Sequence, residues 1–268
     1  MMMSMEADQT LNLQFDAPQR TALERLLPPL TPNASLRWDV VSRLLPESVG
    51  NALEIGCGRG AAAARIARRA ETMTAVEPDG QSFKAAQKNL RGLAQVFNCM
   101  SHELPVAARF DTICAFEVLE HIEDDAAALQ EWKAKLKPGG ALVISVPAWQ
   151  ARFSLFDEMV GHFRRYDPEH LQERLDTAGF VDIHVEPYGF PAGHVLEACR
   201  NFAAIRMAKH DAGKADYAGR TAASGRVMQP GRGMMGDLVQ MAARPMVWTQ
   251  RLFPGRGVGL VARACKPL

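Results

Sequence analysis

The sequence predicts an α/β fold, a mostly parallel sheet covered by helices on both faces. Three observations predict it. Short apolar runs of strand character alternate with segments of helical spacing from residue 52 to residue 187. Turn-forming punctuation separates them at Pro78-Asp-Gly80, at Pro138-Gly-Gly140 and from Asp176 to Gly179. The first apolar run ends in glycines at 56, 58 and 60, a backbone free to take positive φ and to be approached closely.

Each element has its own signal. Residues 1–18 are polar and read as loose, and 19–30 place Leu23, Leu26 and Leu27 at helical spacing. Asn33-Ala-Ser35 reads as the cap of a helix over 36–45, with Trp38, Val41 and Leu45 inward. Strands are expected at 52–55, 73–76, 95–98, 112–116, 141–146 and 181–187, and helices at 61–70, 82–90, 125–136 and 168–178. After 190 the pattern changes. Residues 194–209 carry Val195, Ala198, Phe202 and Ile205 on one helical face. Residues 211–236, rich in Gly, Ala, Arg and Met, read as a loop or a segment that orders on binding. A helix over 238–253 is interrupted by Pro245, and a strand over 257–264 ends the sheet. The expected organisation is an extension (1–35), a core (36–190), a basic helical lid insertion (191–256) and a final core strand (257–268).

Composition bounds the function. The 268 residues are 47% hydrophobic, enough for a substantial core. The net charge of +1 hides an asymmetry: residues 1–190 hold 19 Lys/Arg against 26 Asp/Glu, and residues 191–268 hold 12 against 4. The basic segment suits an anionic substrate, a membrane surface or the acidic core itself. Its aromatics are few (Phe202, Tyr217, Trp248, Phe253), which argues against stacking on single-stranded nucleic acid. The five cysteines have no CxxC spacing and read as buried free thiols, and no metal site is read. With no signal peptide pattern and no apolar run of ~18 residues, a cytoplasmic protein is expected, monomeric or homodimeric.

The glycine loop has rivals. A dinucleotide loop of the GxGxxG kind puts its third glycine where the helix packs on the strand. Here that glycine arrives one residue early, in Glu54-x-Gly-x-Gly-x-Gly60. Alone, this reads equally as a tight strand–helix turn. It is followed in order by Val76-Glu-Pro-Asp79, by Phe110-Asp-Thr-Ile-Cys-Ala-Phe-Glu-Val-Leu-Glu-His121 and by Leu136-Lys-Pro-Gly-Gly140.

Over residues 37–180 this ordered set resembles the class I S-adenosylmethionine-dependent methyltransferases. The resemblance implies a Rossmann-like, seven-stranded sheet with its last strand antiparallel. It implies that Glu54 holds the amino-acid end of S-adenosylmethionine, that Gly56, Gly58 and Gly60 admit the cofactor, and that Glu77, followed by Pro78, grips the ribose. Phe116 and Glu117 would line the methionine portion, Arg37 or Trp38 would close over the site, and Met100 stands nearest the adenine. The segment from Val146 to Tyr166 would form the acceptor wall, with Trp149, Phe153, Phe156, Arg164, Arg165 and Tyr166. Its Asp-Glu…Gly-His-x-Arg-Arg-Tyr pattern resembles a bacterial subgroup classed as type 11 or type 12 methyltransferases.

Methyl transfer from a sulfonium is an in-line displacement that needs alignment above all. If the acceptor must lose a proton, His162 is the first candidate base and His121 the second. His162 equally reads as a partner of Asp157 that fixes its loop, and His121 as a wall of the cofactor pocket. Arg164 and Arg165 would pair with an acidic acceptor or with Asp157, Glu158 or Asp167. The expected function is methylation of a small or medium-sized metabolite on oxygen, with nitrogen or a lipid or saccharide acceptor as alternatives. A cofactor-binding subunit without turnover and a nicotinamide oxidoreductase are the rivals from other classes. The fourth strand ends without an Asn/Asp-Pro-Pro-Tyr/Phe motif, which argues against a nucleic-acid base as acceptor.

Overall fold

Strands buried on both faces need continuous apolar sequence, and the centre of the sheet has it. The computed structural model describes residues 27–210 and 234–268. Five strands run parallel: β1 (Asn51–Ile55), β2 (Thr72–Val76), β3 (Gln95–Phe97), β4 (Phe110–Phe116) and β5 (Leu136–Pro147). Two more complete the sheet, β6 (Val181–Gly189) and β7 (Gly257–Cys265), and β7 is antiparallel to both β5 and β6. The order is β3-β2-β1-β4-β5-β7-β6. The final strand is antiparallel, as the resemblance implies, and lies between β5 and β6.

Alternation along the strands feeds two apolar layers. On one face Leu53, Ile55, Ile113, Leu142 and Ile144 meet Leu129 and Trp132 of α4 (Asp125–Lys135) and Leu171 and Leu175 of α6 (Pro168–Thr177). On the other face Ala52, Cys114, Val143 and Val261 meet α1 (Pro32–Leu44), α2 (Ala63–Ile66) and α3 (Gly80–Asn89). The strand order reverses between β1 and β4. Their carboxyl ends lie side by side, with Ile55 opposite Ala115, and this is the crevice where open α/β sheets bind ligands.

The boundaries differ from expectation in instructive ways. Helix α1 begins at Pro32, capped by Thr31, whose Oγ1 accepts from Ala34 N at 3.1 Å. Proline at the first helical position needs no partner for a missing N–H, so the cap is Thr31 and not Asn33 or Ser35. Helix α2 is a single turn within 61–70, because the chain tightens beyond Ile66, where Arg69 N bonds Ile66 O. An unexpected helix, α5 (Leu155–Val160), is stopped by Gly161 at φ 80°. Residues 27–30 are not helical, and the rest of the helix expected over 19–30 lies outside the described residues.

Between β6 and β7 run α7 (Ala192–His210) and α8 (Met234–Gln250), the latter containing Pro245. The loop expected over 211–236 lies outside the described residues up to 233. Both helices dock on the core through polar contacts. Gln250 donates to Leu36 O at 3.0 Å and to Asp39 Oδ2 at 2.9 Å, and Arg251 Nε lies 3.1 Å from Asp39 Oδ1. Glu197 of α7 takes both Arg152 and Arg165. Among the described residues no helix is long and apolar enough to cross a membrane. The cysteines are unpaired; Cys57 and Cys114 are buried, whereas Cys199 is exposed on α7.

Candidate active site

The glycine loop leaves β1 with all three glycines at positive φ: 67° at Gly56, 55° at Gly58 and 82° at Gly60. They do different work. A Cβ at Gly56 would come within 2.7 Å of Val118 and one at Gly60 within 2.8 Å of Leu90, so these two let the loop pack inward. A Cβ at Gly58 would meet nothing within 4 Å, so this glycine faces open space. Glu77, at the end of β2, ties the loop down: Gly58 N donates to its Oε2 at 2.7 Å and Asp79 N to its Oε1 at 2.9 Å. Burial raises the Glu77 pKa, against those two hydrogen bonds. Pro78 O and Glu77 O both accept from Asn98 Nδ2, which anchors the end of β3, and Met100 follows, half-exposed.

Glu54 is 2% exposed, and its Oε2 has no hydrogen-bond partner. Burial pushes its pKa from 4.5 to about 8, with Arg37 and a bond from the Ala63 backbone opposing and Glu77 adding. An unsatisfied buried carboxylate oxygen beside an open glycine fits the ammonium of S-adenosylmethionine, and the carboxylate at the end of β2 fits its ribose. Across the crevice Arg37 of α1 lies over the Phe116 ring at 5.6 Å and 3.4 Å from Glu117 Oε1. Burial opposes the charge on Arg37, but Glu117 and Tyr188 outweigh it and raise its pKa. Trp38 is half-buried against the apolar layer of α1.

Glu117 follows β4 at φ 58°, a conformation rare outside glycine and kept where the surroundings over-determine it. Its N–H donates to Ser145 O at 2.9 Å, and its Oε1 accepts from Ser145 Oγ at 2.8 Å and Tyr188 Oη at 3.4 Å. Burial works against ionisation, but Arg37 and Ser145 hold the pKa below the usual carboxylate value. Tyr188 reaches Glu117 because Gly259 on β7 has no side chain; a Cβ there would come within 2.4 Å of the tyrosine ring.

Glu117 is one wall of a small cavity of ≈ 20 Å³, enough for a water. Asn33, Phe156, His162, Tyr188 and Arg200 are among its other walls. Asn33 Oδ1 and Arg200 Nε are buried without partners. His162 Nδ1 lies 2.9 Å from Asp157 Oδ1, and its Nε2 lies 3.9 Å from Glu120 Oε1. Burial alone would raise the Asp157 pKa, but His162, Arg165 and Ser154 outweigh it and hold the carboxylate well below its usual value. His121 meets His162 edge-on, with ring centroids 4.6 Å apart. Burial and the neighbouring His162 lower the His121 pKa to about 4, which makes it a weak base.

The other residues expected on the acceptor wall are held elsewhere. Arg164 donates to Ile122 O and Glu123 O and pairs with Asp125 at 3.1 Å. Tyr166 is fully buried, and its hydroxyl donates to Asp125 Oδ2 at 2.9 Å. Trp149 Nε1 donates to Gly257 O at 2.9 Å. Arg165 touches the cavity but is held by Asp157 and Glu197. Of the expected wall, Phe156 and Arg165 line the cavity, whereas Trp149, Phe153, Arg164 and Tyr166 do not. The core needs partners for the carboxylates and apolar mass behind the loop, and these residues supply both. Sequence reasoning missed Asn33, Glu120, Tyr188 and Arg200. Only Glu120, inside the Glu-Val-Leu-Glu-His run, had a local signal.

A family model described as a methyltransferase domain matches residues 31–185. An uncharacterised methyltransferase of Mycobacterium tuberculosis is 34% identical over 116 residues, covering 42% of this chain and 58% of that protein. A ubiquinone biosynthesis O-methyltransferase of Xylella fastidiosa is 34% identical over 119 residues, covering 41% and 47%. The chain thus spans about half the length of the curated relatives it matches. Among solved structures, the [4+2]-cyclase SpnF superposes with a TM-score of 0.57 at 22% identity, over 88% of this chain and 82% of that one. Phosphoethanolamine N-methyltransferase 2 of Haemonchus contortus, in complex with S-adenosyl-L-methionine, superposes at 0.53 and 18% identity, over 87% and 53%. With the family match over more than half of its length, the chain belongs to the methyltransferase domain family.

Proposed function

We propose that the protein moves a methyl group from S-adenosylmethionine to an oxygen of a small, polar acceptor whose reacting group reaches the cavity lined by Glu117, His162, Tyr188 and Arg200. The observation that carries this reading is the His162–Asp157 pair on the cavity wall, next to the residue that leaves β4. A carboxylate on Nδ1 orients an imidazole so that Nε2 can take a proton. The unpartnered Asn33 Oδ1 and Arg200 Nε call for an acceptor that both donates and accepts hydrogen bonds, since leaving each unmet costs about 1–3 kcal/mol. The name of the Xylella relative supports oxygen over nitrogen. In this reading Glu54 holds the ammonium of the cofactor and Glu77 its ribose hydroxyls, while Arg37 and Phe116 cover it.

The test is turnover of labelled S-adenosylmethionine with a panel of phenols and hydroxy acids, read as release of S-adenosylhomocysteine. His162→Ala is expected to lower kcat by about 10²–10⁴-fold with unchanged affinity for S-adenosylhomocysteine. A fully active variant overturns the role of His162. Release with amines alone overturns oxygen as the acceptor atom.

A lipid-linked acceptor is a second reading, favoured by the exposed Val195, Phe202 and Ile205 of α7 and Met241 and Trp248 of α8, with Arg206 and Arg244 on the same two helices. It predicts sedimentation of the protein with anionic vesicles. Recovery of all the protein in the supernatant overturns it.

A further inference from the structure

We propose that Glu120, His121 and His162 bind one divalent first-row cation, of which Zn²⁺ is the type, beside the cavity. The inference rests on the reading above and changes one part of it: His162 holds a metal, and the acceptor's proton goes to solvent. Its test is metal binding and does not depend on methyl transfer.

Glu120 is the starting point. It is 0% exposed, and neither of its side-chain oxygens has a hydrogen-bond partner. A carboxylate taken from water without a partner costs several kcal/mol, and Glu117 and Asp157 add negative surroundings that Arg37 only partly offsets. A cation at this point would meet both demands.

The histidines are set up to share it. His121 Nδ1 lies 3.3 Å from Gly161 O, which can only accept, so Nδ1 carries the hydrogen and Nε2 keeps its lone pair. His162 Nδ1 is held by Asp157 Oδ1, which leaves its Nε2 free in the same way. Metal-bound histidines characteristically hydrogen-bond the other ring nitrogen to a carboxylate or a backbone carbonyl, and here one does each. The ring planes cross at 78°, and the Nε2 of His162 points toward Glu120.

The spacing is within reach. One ligand atom from each residue can be chosen so that all three lie within 4.8 Å of one another. Three such points fit within about 2.8 Å of a common centre, so side-chain shifts under 1 Å bring them to the ~2.0–2.2 Å of a zinc site. The backbone holds the two ligand segments together. Phe163 N donates to Glu120 O at 2.8 Å, and Arg164 clamps Ile122 O and Glu123 O.

Two imidazoles and one carboxylate select a first-row ion over Mg²⁺ or Ca²⁺ and leave coordination positions open. An acceptor hydroxyl in an open position would ionise near neutrality, as metal-bound water does, releasing its proton to solvent. The oxygen then forms its bond to the methyl carbon as the sulfur–carbon bond breaks, and that bond's electron pair stays on sulfur.

The experiment strips the full chain with EDTA and titrates it with Zn²⁺ and separately with Co²⁺. Calorimetry gives stoichiometry, and the Co²⁺ absorption distinguishes imidazole from thiolate ligands. One equivalent with imidazole character is expected, with at least about 100-fold weaker binding in Glu120→Gln and in His121→Ala. Circular dichroism identifies a variant that has not folded, and the second variant then decides. No stoichiometric binding, a thiolate spectrum, or unchanged affinity in the folded variants overturns the site. Full methyl transfer by chain free of metal also overturns it, and leaves the proposed function standing.

Discussion

Arg165 lies side-on to Asp157, with its Nε 2.9 Å from one carboxylate oxygen and its Nη2 2.7 Å from the other, and both side chains are buried. The same carboxylate accepts from Ser154 N and Ser154 Oγ at 2.8 Å and meets His162. One residue thus starts α5, pairs the arginine that reaches Glu197 of α7, and orients the imidazole on the cavity wall. Removing one member of a buried pair strands the other charge, at about 3–5 kcal/mol. Asp157→Ala is expected to lose stability in that range in urea denaturation. A loss under about 1 kcal/mol would mean that Glu197 alone satisfies Arg165.

Glu54 makes both stability and cofactor affinity depend on pH. The native state holds its proton up to about 8, whereas the unfolded chain releases it near 4.5. Stability from this group is complete below 4.5 and falls between 4.5 and 8, by about 1.4 kcal/mol per pH unit within that window. Arg37 opposes the shift and Glu77 adds to it, and the thiols of Cys57 and Cys114 also face Glu54 but stay protonated, their own pKa values raised by burial. Binding the cationic cofactor favours the ionised carboxylate, so affinity is expected to rise from about pH 5.5 to 7, below the range near 8 in which the cofactor's own amino group loses its proton. Calorimetry over that range should show it in the wild type and a flat profile in Glu54→Gln. The same slope in both would remove Glu54 from the cofactor's ammonium.

Gly58 and Gly60 separate packing from binding. Gly58→Ala meets open space, so its stability cost is the left-handed backbone alone, about 1 kcal/mol. Its new methyl group stands where the cofactor would lie, so S-adenosylhomocysteine should bind at least tenfold more weakly. Gly60→Ala drives a Cβ to 2.8 Å from Leu90 and should cost about 2–4 kcal/mol in thermal denaturation. Equal affinity in Gly58→Ala would place the cofactor elsewhere.

Glu77 accepts two backbone N–H groups and, in the proposed complex, the ribose hydroxyls. Its truncation to alanine should weaken S-adenosylhomocysteine by about 10- to 100-fold, the loss of hydrogen bonds to a charged group. Adenosine competition is the sharper measurement. If Glu77→Ala leaves adenosine affinity unchanged, the carboxylate only ties down the loop.

The half of the sheet around the glycine loop is legible because each of its signals is local. The glycines at 56, 58 and 60, Glu77 at a strand end and the apolar strand runs speak for themselves over a few residues. The helix starting at Pro32 was misplaced by four residues because Asn33 and Ser35 look like caps, while the cap in use, Thr31, sits before a proline. The acceptor wall was read from one contiguous segment. Phe156 and His162 do line the cavity, but Arg164 and Tyr166 turn to Asp125 on α4.

Periodicity, turn chemistry and glycine spacing act within a few residues, so the sequence alone determined the βα order, the parallel sheet and the place of the glycine loop after β1. Which side chains meet at the other end of the site depends on elements that touch only after folding. Asn33, Glu117, His162, Tyr188 and Arg200 come from five separate stretches of chain, brought together by the β3-β2-β1-β4-β5-β7-β6 order and by α7 docking through Glu197. Buried charges must find partners wherever packing puts them. That requirement turned part of an expected substrate wall into internal ion pairs and left Glu120, His121 and His162 facing one another.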